Sequence, residues 1–338
     1  ALPLSNPKAG DKSSALAVWA RLKEWQESAP PPPPGHFGVS SPEARTRLAE
    51  LLGEGAEARP QQADYASAVS RAFEPTEAPE TPNLVLAEAG TGVGKTLGYI
   101  SPASLWAEKN EGTVWLSTFT RNLQRQIDGE LDRLFPDSRV KADKVVVRKG
   151  RENYLCLLNL EEAVNRSVLA PNEHIALGLM ARWAGATRDG DMVGGDFPAW
   201  LADLLGYGRT LALTDRRGEC IFSACSHYRK CFIEKNQRKA RAAEIVIANH
   251  ALVMVQAVRG AFATGERGAP TRFVFDEGHH VFNAADSAFS AHLTGSEARE
   301  LRRWLMGAER RGGAGGGGGT GTAGAAGTAG QGYAGGNG

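Results

Sequence analysis

The chain has 338 residues, 42% of them hydrophobic and 23% charged, with a formal net charge of +1. It is long enough to bury at least one large core and to carry appended modules. No apolar run approaches the roughly 20 residues of a membrane span, and the opening ALPLSNPKAGDKSS lacks the apolar centre of a secretory signal, so the sequence reads as soluble and cytosolic.

Residues 1–58 show little pattern, and the run from Pro30 to Pro34 predicts an extended spacer rather than a packed element. The first residue is alanine rather than methionine, which suggests an internal fragment of a longer polypeptide. Beyond that point, short apolar runs alternate with helical patterns. NLVLAEA (83–89) predicts a strand, 94–107 a helix, TVWLST (113–118) a strand and RNLQRQIDGELDRLF (121–135) an amphipathic helix. KVVVRK (144–149) resumes the sheet. Polar helical periodicity from Glu161 to about Leu205 is too long for a loop and predicts an inserted module, after which EIVIAN (244–249) and RFVFDE (272–277) return as buried strands. This alternation predicts an α/β fold with a mainly parallel sheet covered by helices. Residues 312–338 are almost only Gly, Ala and Thr, too poor in apolar surface to offset the entropy of ordering, and predict disorder.

The strongest local signal is AEAGTGVGKTLGYI, residues 87–100, between a predicted strand and a predicted helix. Gly90, Gly92 and Gly94 let the backbone of Ala89, Gly90, Thr91, Gly92, Val93 and Gly94 turn its amides toward a polyphosphate, with the positive helix end behind them. Lys95 would reach the outer phosphates, and Thr96 would offer its hydroxyl to Mg2+. Ala89 stands where the common pattern has glycine; a small residue preserves the turn. The partner signal is FVFDEGHH, 273–280, whose strand delivers two acids to its carboxyl end, where ligands of open α/β sheets bind. Asp276 would hold the magnesium ion, and Glu277 would orient and deprotonate an attacking water. His279 and His280 are adjacent, not four apart, so a helical zinc-protease pair is excluded.

Three of the four cysteines, Cys220, Cys225 and Cys231, fall in one segment, with Cys156 far upstream. A cytosolic setting argues for metal or chemistry over disulfides. From spacing alone, structural zinc and an iron–sulfur cluster stay open. The segment is basic: Arg216, Arg217, Arg229, Lys230, Lys235, Arg238, Lys239 and Arg241 stand against Glu219 and Glu234, eight positive against two negative, or +6. Such a patch predicts affinity for a nucleic-acid backbone.

Taken together, AEAGTGVGKT, STFTRNLQRQI, KGRENYLC, the triple-cysteine segment, VIANHALV and DEGHH resemble, in kind and order, the iron–sulfur superfamily 2 DNA helicases of the DinG/XPD type, from about Arg59 to Leu305. The cysteine spacing resembles the bacterial DinG branch. The resemblance implies a RecA-like P-loop motor domain in two parts, 59–148 and 244–283, interrupted by an iron–sulfur insertion at 149–243. It also implies the start of a helical Arch insertion at 284–310, followed by the 311–338 tail. It implies ATP and Mg2+, a [4Fe–4S] cluster on Cys156, Cys220, Cys225 and Cys231, and single-stranded DNA, with duplex at a junction, as partner. Arg59 and Gln62 match its adenine-reading segment, and Ser117, Thr118, Thr120, Arg121 and Asn122 its DNA-backbone motif. Asn249 and His250 match its Asn-His pair, and His279 the residue coupling nucleotide state to DNA. Tyr154, Tyr228 and Phe232 are aromatics that would stack on bases if exposed. The implied activity is ATP-driven unwinding, 5′ to 3′, in repair or replication. Nothing after DEGHH resembles the family's second motor domain, so the expectation is that this chain alone binds nucleotide and DNA weakly and unwinds little.

Overall fold

A computed structural model describes residues 16–27, 29–57, 59–76, 81–167, 173–215, 220–260 and 270–290, with positions 295, 298, 301 and 302. In chain order the elements are α1 (Ser41–Leu52), α2 (Pro60–Ser70), α3 (Lys95–Asn110), β1 (Val114–Thr118), α4 (Arg121–Glu130), α5 (Ser138–Lys144) and β2 (Val145–Val147). There follow α6 (Leu157–Ser167), α7 (His174–Ala186), α8 (Ala199–Leu205), α9 (Phe232–Ala242), β3 (Ile245–Asn249), α10 (His250–Val258), β4 (Arg272–Phe275) and α11 (Val281–Phe289). The chain divides into units 1–288 and 289–338, and these elements belong to the first, apart from the last residue of α11. Arg216, Arg217 and Glu219, most of 291–310 and the whole 311–338 tail lie outside the described residues.

The four strands form one parallel sheet in the order β2-β3-β1-β4, with Val114 opposite both Ile245 and Arg272, and Val145 opposite Ile245. Strands covered on both faces need apolar side chains at successive positions, and β1 and β3 supply them. Val114, Leu116, Ile245 and Ile247 point into a core with Ile100, Trp106 and Ile127 from α3 and α4. Trp115, Val246 and Ala248 point to the opposite face, against Ala240 of α9 and Val253 of α10. Each fully buried Leu or Ile here contributes about 1.5–3 kcal/mol. The residues between β2 and β3 build a second apolar core around Leu160, Leu177, Met180 and Leu213.

Two expectations are corrected. Residues 83–89 form no strand: Leu84 and Leu86 are 81% and 90% exposed, and β4 pairs only with β1. Strand propensity is expressed only against a partner, and no described strand pairs with this segment. The second correction is the N-terminal segment. Ser40 and Glu43 close a capping box over α1, whose Ala44, Leu48 and Leu51 enter the main core. Further upstream, Val18 joins the second core. Trp25 donates from its backbone N–H to Arg229 O (2.8 Å) and from Nε1 to Tyr228 O (2.8 Å), and the Arg238 guanidinium lies 3.5 Å over its ring. Aromatic burial is the physical reason this stretch packs despite weak periodicity.

Candidate nucleotide site and cysteine segment

Gly92 (φ 82°) and Gly94 (φ 86°) take the left-handed backbone that glycine adopts without steric cost, and Gly94 caps α3, so Lys95 and Thr96 open that helix. Gln62 Nε2 donates to Gly94 O (2.9 Å) and Arg59 Nη1 to Gly92 O (3.4 Å), buttressing the turn from α2 and its cap. A side chain at Gly98 would stand 2.6 Å from the Tyr65 ring, so glycine is what lets α2 and α3 close. Beside the loop a cavity of about 330 Å³ is lined by Arg59, Gln62, Gly94, Thr96 and Leu97, among others, at the lower end of ligand-pocket sizes. Gln62 Oε1 is a buried acceptor without a partner among the described residues. An orphaned acceptor on a residue that lines the cavity suits the exocyclic amine of a purine once the amide turns toward it.

β4 and the residues after it bring the acids to the same end of the sheet. Asp276 N–H donates to Ser117 O (2.8 Å), and Thr118 Oγ1 donates to Asp276 Oδ2 (3.3 Å). Lys95 Nζ meets Glu277 Oε1 at 3.1 Å, and His279 Nδ1 stands 3.6 Å from Glu277 Oε2. Glu277 itself is left-handed (φ 55°), a conformation that costs a non-glycine residue of order 1 kcal/mol. Burial, and next the Glu277 charge, push the Asp276 carboxyl above its ordinary range. Two neighbouring carboxyls, one of them partly desolvated and the other paired with Lys95, form an oxygen donor set that suits a hard divalent cation. Thr96, the other expected magnesium contact, opens the helix from the loop side.

Behind the acids, Ser117 Oγ and His250 Nδ1 are 2.8 Å apart and both side chains are buried; burial holds the imidazole below its usual pKa. His280 stacks on Phe119 with 3.8 Å between ring centroids. Neither pairing is visible in sequence, because the partners lie 133 and 161 positions apart. Of the residues expected on DNA, Ser117 and Thr118 are buried and engaged as above, whereas Thr120 caps α4 by accepting from Leu123 N–H (3.2 Å), leaving Arg121 and Asn122 exposed at the helix start. Asn249 caps α10 through Leu252 N–H (2.9 Å). Tyr154 is only 2% exposed and its hydroxyl accepts from Lys149 N–H, so its ring is a core contact and not a stacking surface. Phe232 is likewise buried in the second core.

Arg151 organises the cysteine segment. Its Nη2 donates to Cys220 Sγ (2.7 Å), its Nε to Asp215 Oδ2 (2.6 Å), and its guanidinium lies over the Phe222 ring. Cys231 caps α9 and Cys156 directly precedes α6. All four cysteines are free and partly buried. Burial pushes the Cys156 thiol up to about 11 and raises that of Cys231, and each of these shifts also carries a charge contribution from a residue of the same neighbourhood, Cys231 and Arg151 respectively. Buried thiols of this kind ionise when a bound cation or cluster compensates the charge. Among the described residues, no three His, Cys, Asp or Glu side chains form a group that could hold one metal ion. A cube that offers a separate corner to each thiolate asks for a wider spread than a single ion does.

A parallel α/β sheet, a glycine turn opening a helix with Lys-Thr, and an acid pair meeting that lysine define a P-loop domain of the RecA-like type. No family model matches the chain. It is 32% identical over 289 residues to the ATP-dependent helicase DinG of Mycobacterium tuberculosis, covering 78% of this chain and 41% of the relative. It is 30% identical over 235 residues to the ATP-dependent DNA helicase YoaA of Escherichia coli, with 68% and 35% covered. Against YoaA of Haemophilus influenzae the identity is 28% over 253 residues, with 73% and 37% covered. The chain is similar to the DinG-type helicases over most of its own length, and the match spans between about a third and two fifths of the length of these relatives.

Proposed function

We propose that this chain is the ATP-binding part of a DNA helicase in DNA repair, with the nucleotide between the glycine loop and the acid pair. The observation carrying this reading is the meeting of Lys95 with Glu277 at 3.1 Å, with Asp276 tied to Thr118 alongside. Loop amides and Lys95 hold the phosphates; Thr96 and Asp276 hold Mg2+, which when bound neutralises charge on the β- and γ-phosphates. Glu277 orients the attacking water and takes its proton, while Arg59 and Gln62 fix the loop and face the base. His279, whose Nδ1 stands 3.6 Å from that carboxylate, reports the state of the site toward the DNA side in this reading. Arg121 and Asn122, with Thr120 setting the turn of the chain, supply contacts to a single-stranded DNA backbone.

Cys156, Cys220, Cys225 and Cys231 together hold a [4Fe–4S] cluster in this reading, as a scaffold beside the DNA path rather than as the ATPase centre. Arg151, donating to Cys220, offsets thiolate charge there. Chain purified without oxygen should carry about four iron and four acid-labile sulfide per molecule; stoichiometric zinc without sulfide would replace the cluster by a zinc site. For the motor role, phosphate release is measured with and without single-stranded DNA. The expected result is slow, Mg2+-dependent turnover that rises with DNA. Turnover indifferent to DNA would assign the site to an ATPase of another purpose.

A further inference from the structure

On the α9 and α10 side of the sheet, away from the glycine loop, a pocket lies between the end of β2, Arg151 and Tyr154, α9 and α10. It is lined by Arg148, Lys149, Arg151, Arg259, Asn236 and Gln256, with no carboxylate among its described residues. Arg148 is 9% exposed, its backbone N–H is fixed on Ile247 O (2.8 Å), and its guanidinium lies 5.3 Å over Trp115. Its Nε is buried and has no hydrogen-bond partner among the described residues. Lys149 is neutralised by Asp191, and Arg151 by Asp215. Arg148 and Arg259 form no ion pair among the described residues; of the charges acting on Arg148, Glu234 favours its cation and Arg241 opposes it.

A guanidinium cannot shed its proton to escape burial, and a buried unpaired charge is costly enough that native structures pair it. The cation–π contact with Trp115 covers one face only. The free space of the pocket is about 20 Å³, room for one water-sized atom. It admits an anionic oxygen and leaves the rest of the group at the mouth, where Arg259 is exposed. Asn236 already donates to Val147 O (3.3 Å), which leaves its other N–H for a ligand.

We infer that this pocket seats one phosphate of a nucleic-acid strand, with Arg148 on a non-bridging oxygen and Arg259 at the rim. The inference rests on the DNA reading above and adds a contact outside the segment Thr120–Asn122. It differs from the cysteine-segment patch in being a buried fork with a vacancy for one oxygen, not a surface of mobile lysines.

The test is binding of a fluorescent poly-dT oligonucleotide to the full chain, with salt varied from about 50 to about 200 mM. Arg148→Met should raise Kd about tenfold, as expected for a lost charged hydrogen bond. It should also lower the slope of log affinity against log salt by about 0.7, one single-strand phosphate. Unchanged affinity and slope in this variant overturn the pocket while leaving the helicase reading intact. No oligonucleotide binding by the unaltered chain overturns both. Nucleotide affinity in the same samples reports folding; should Arg148→Met lose it, Arg259→Gln decides, and an unaltered slope there contradicts the inference. Thermal stabilisation by inorganic phosphate that vanishes in Arg148→Met, with oligonucleotide binding unchanged, would assign the pocket to free phosphate and overturn the nucleic-acid source.

Discussion

Lys95 Nζ lies 3.1 Å from Glu277 Oε1, so the first residue of α3 is paired with the acid that follows β4 across 182 positions of chain. The amine expected to bind outer phosphates is held by the carboxylate expected to activate water, and a nucleotide must compete for it. Both groups are partly exposed, and such a pair is worth about 0–1 kcal/mol.

Glu277→Gln therefore should keep nucleotide affinity within about fivefold of the unaltered chain, on the tighter side. Loss of the base should lower phosphate release by about 10²-fold or more. Fluorescent-nucleotide titration and phosphate-release assays read the two effects. Weaker nucleotide binding would mean that Glu277 supports the phosphates instead of competing for Lys95.

Asp276 carries a pH signature. Its carboxyl is held above the usual value of 3.8, by burial first and Glu277 second. A raised acid pKa means that the folded chain binds this proton more tightly than the unfolded chain. The associated stability is complete below the unfolded value and declines as pH rises through the folded value. Asp276→Asn removes that decline: its Tm advantage over the unaltered chain should be near zero at about pH 3.5 and positive at neutral pH. The same variant should lose the Mg2+-dependent part of nucleotide affinity. An advantage that shrinks with rising pH would reverse the assignment.

Trp25 fastens the N-terminal segment to the cysteine segment through Tyr228 O, Arg229 O and Arg238. Trp25→Ala should destabilise that region by about 2 kcal/mol, within the range of side-chain truncations. The expected readout is faster hydrogen exchange across 220–231 with nucleotide affinity unchanged. Uniform exchange acceleration would show that the segment belongs to the global core.

The glycine loop, the acid pair and the parallel sheet were legible because each is written in a few consecutive residues. β1 and β3 carry the apolar runs 114–116 and 245–248, and Gly92 and Gly94 sit where positive φ is needed. What sequence could not show depends on partners distant in the chain. NLVLAEA has the pattern of a strand but no described strand to pair with, leaving Leu84 and Leu86 exposed. Tyr154 carries the ring of a stacking residue, yet its position after Arg151 buries it. The N-terminal segment lacks periodicity because single aromatics, Trp19 and Trp25, dock it: Trp19 lies edge-on to His227 and Trp25 to Tyr228. Arg151 stood within the motif KGRENYLC, and its bond to Cys220 was missed because local sequence does not say which sulfur a guanidinium faces.

The most direct measurement is nucleotide affinity of Lys95→Ala beside its single-stranded DNA affinity. Loss of ATP binding by about 10²-fold or more, with DNA binding retained, is the predicted result for a lysine that holds phosphates. ATP bound as tightly as by the unaltered chain would place the nucleotide elsewhere and contradict the site.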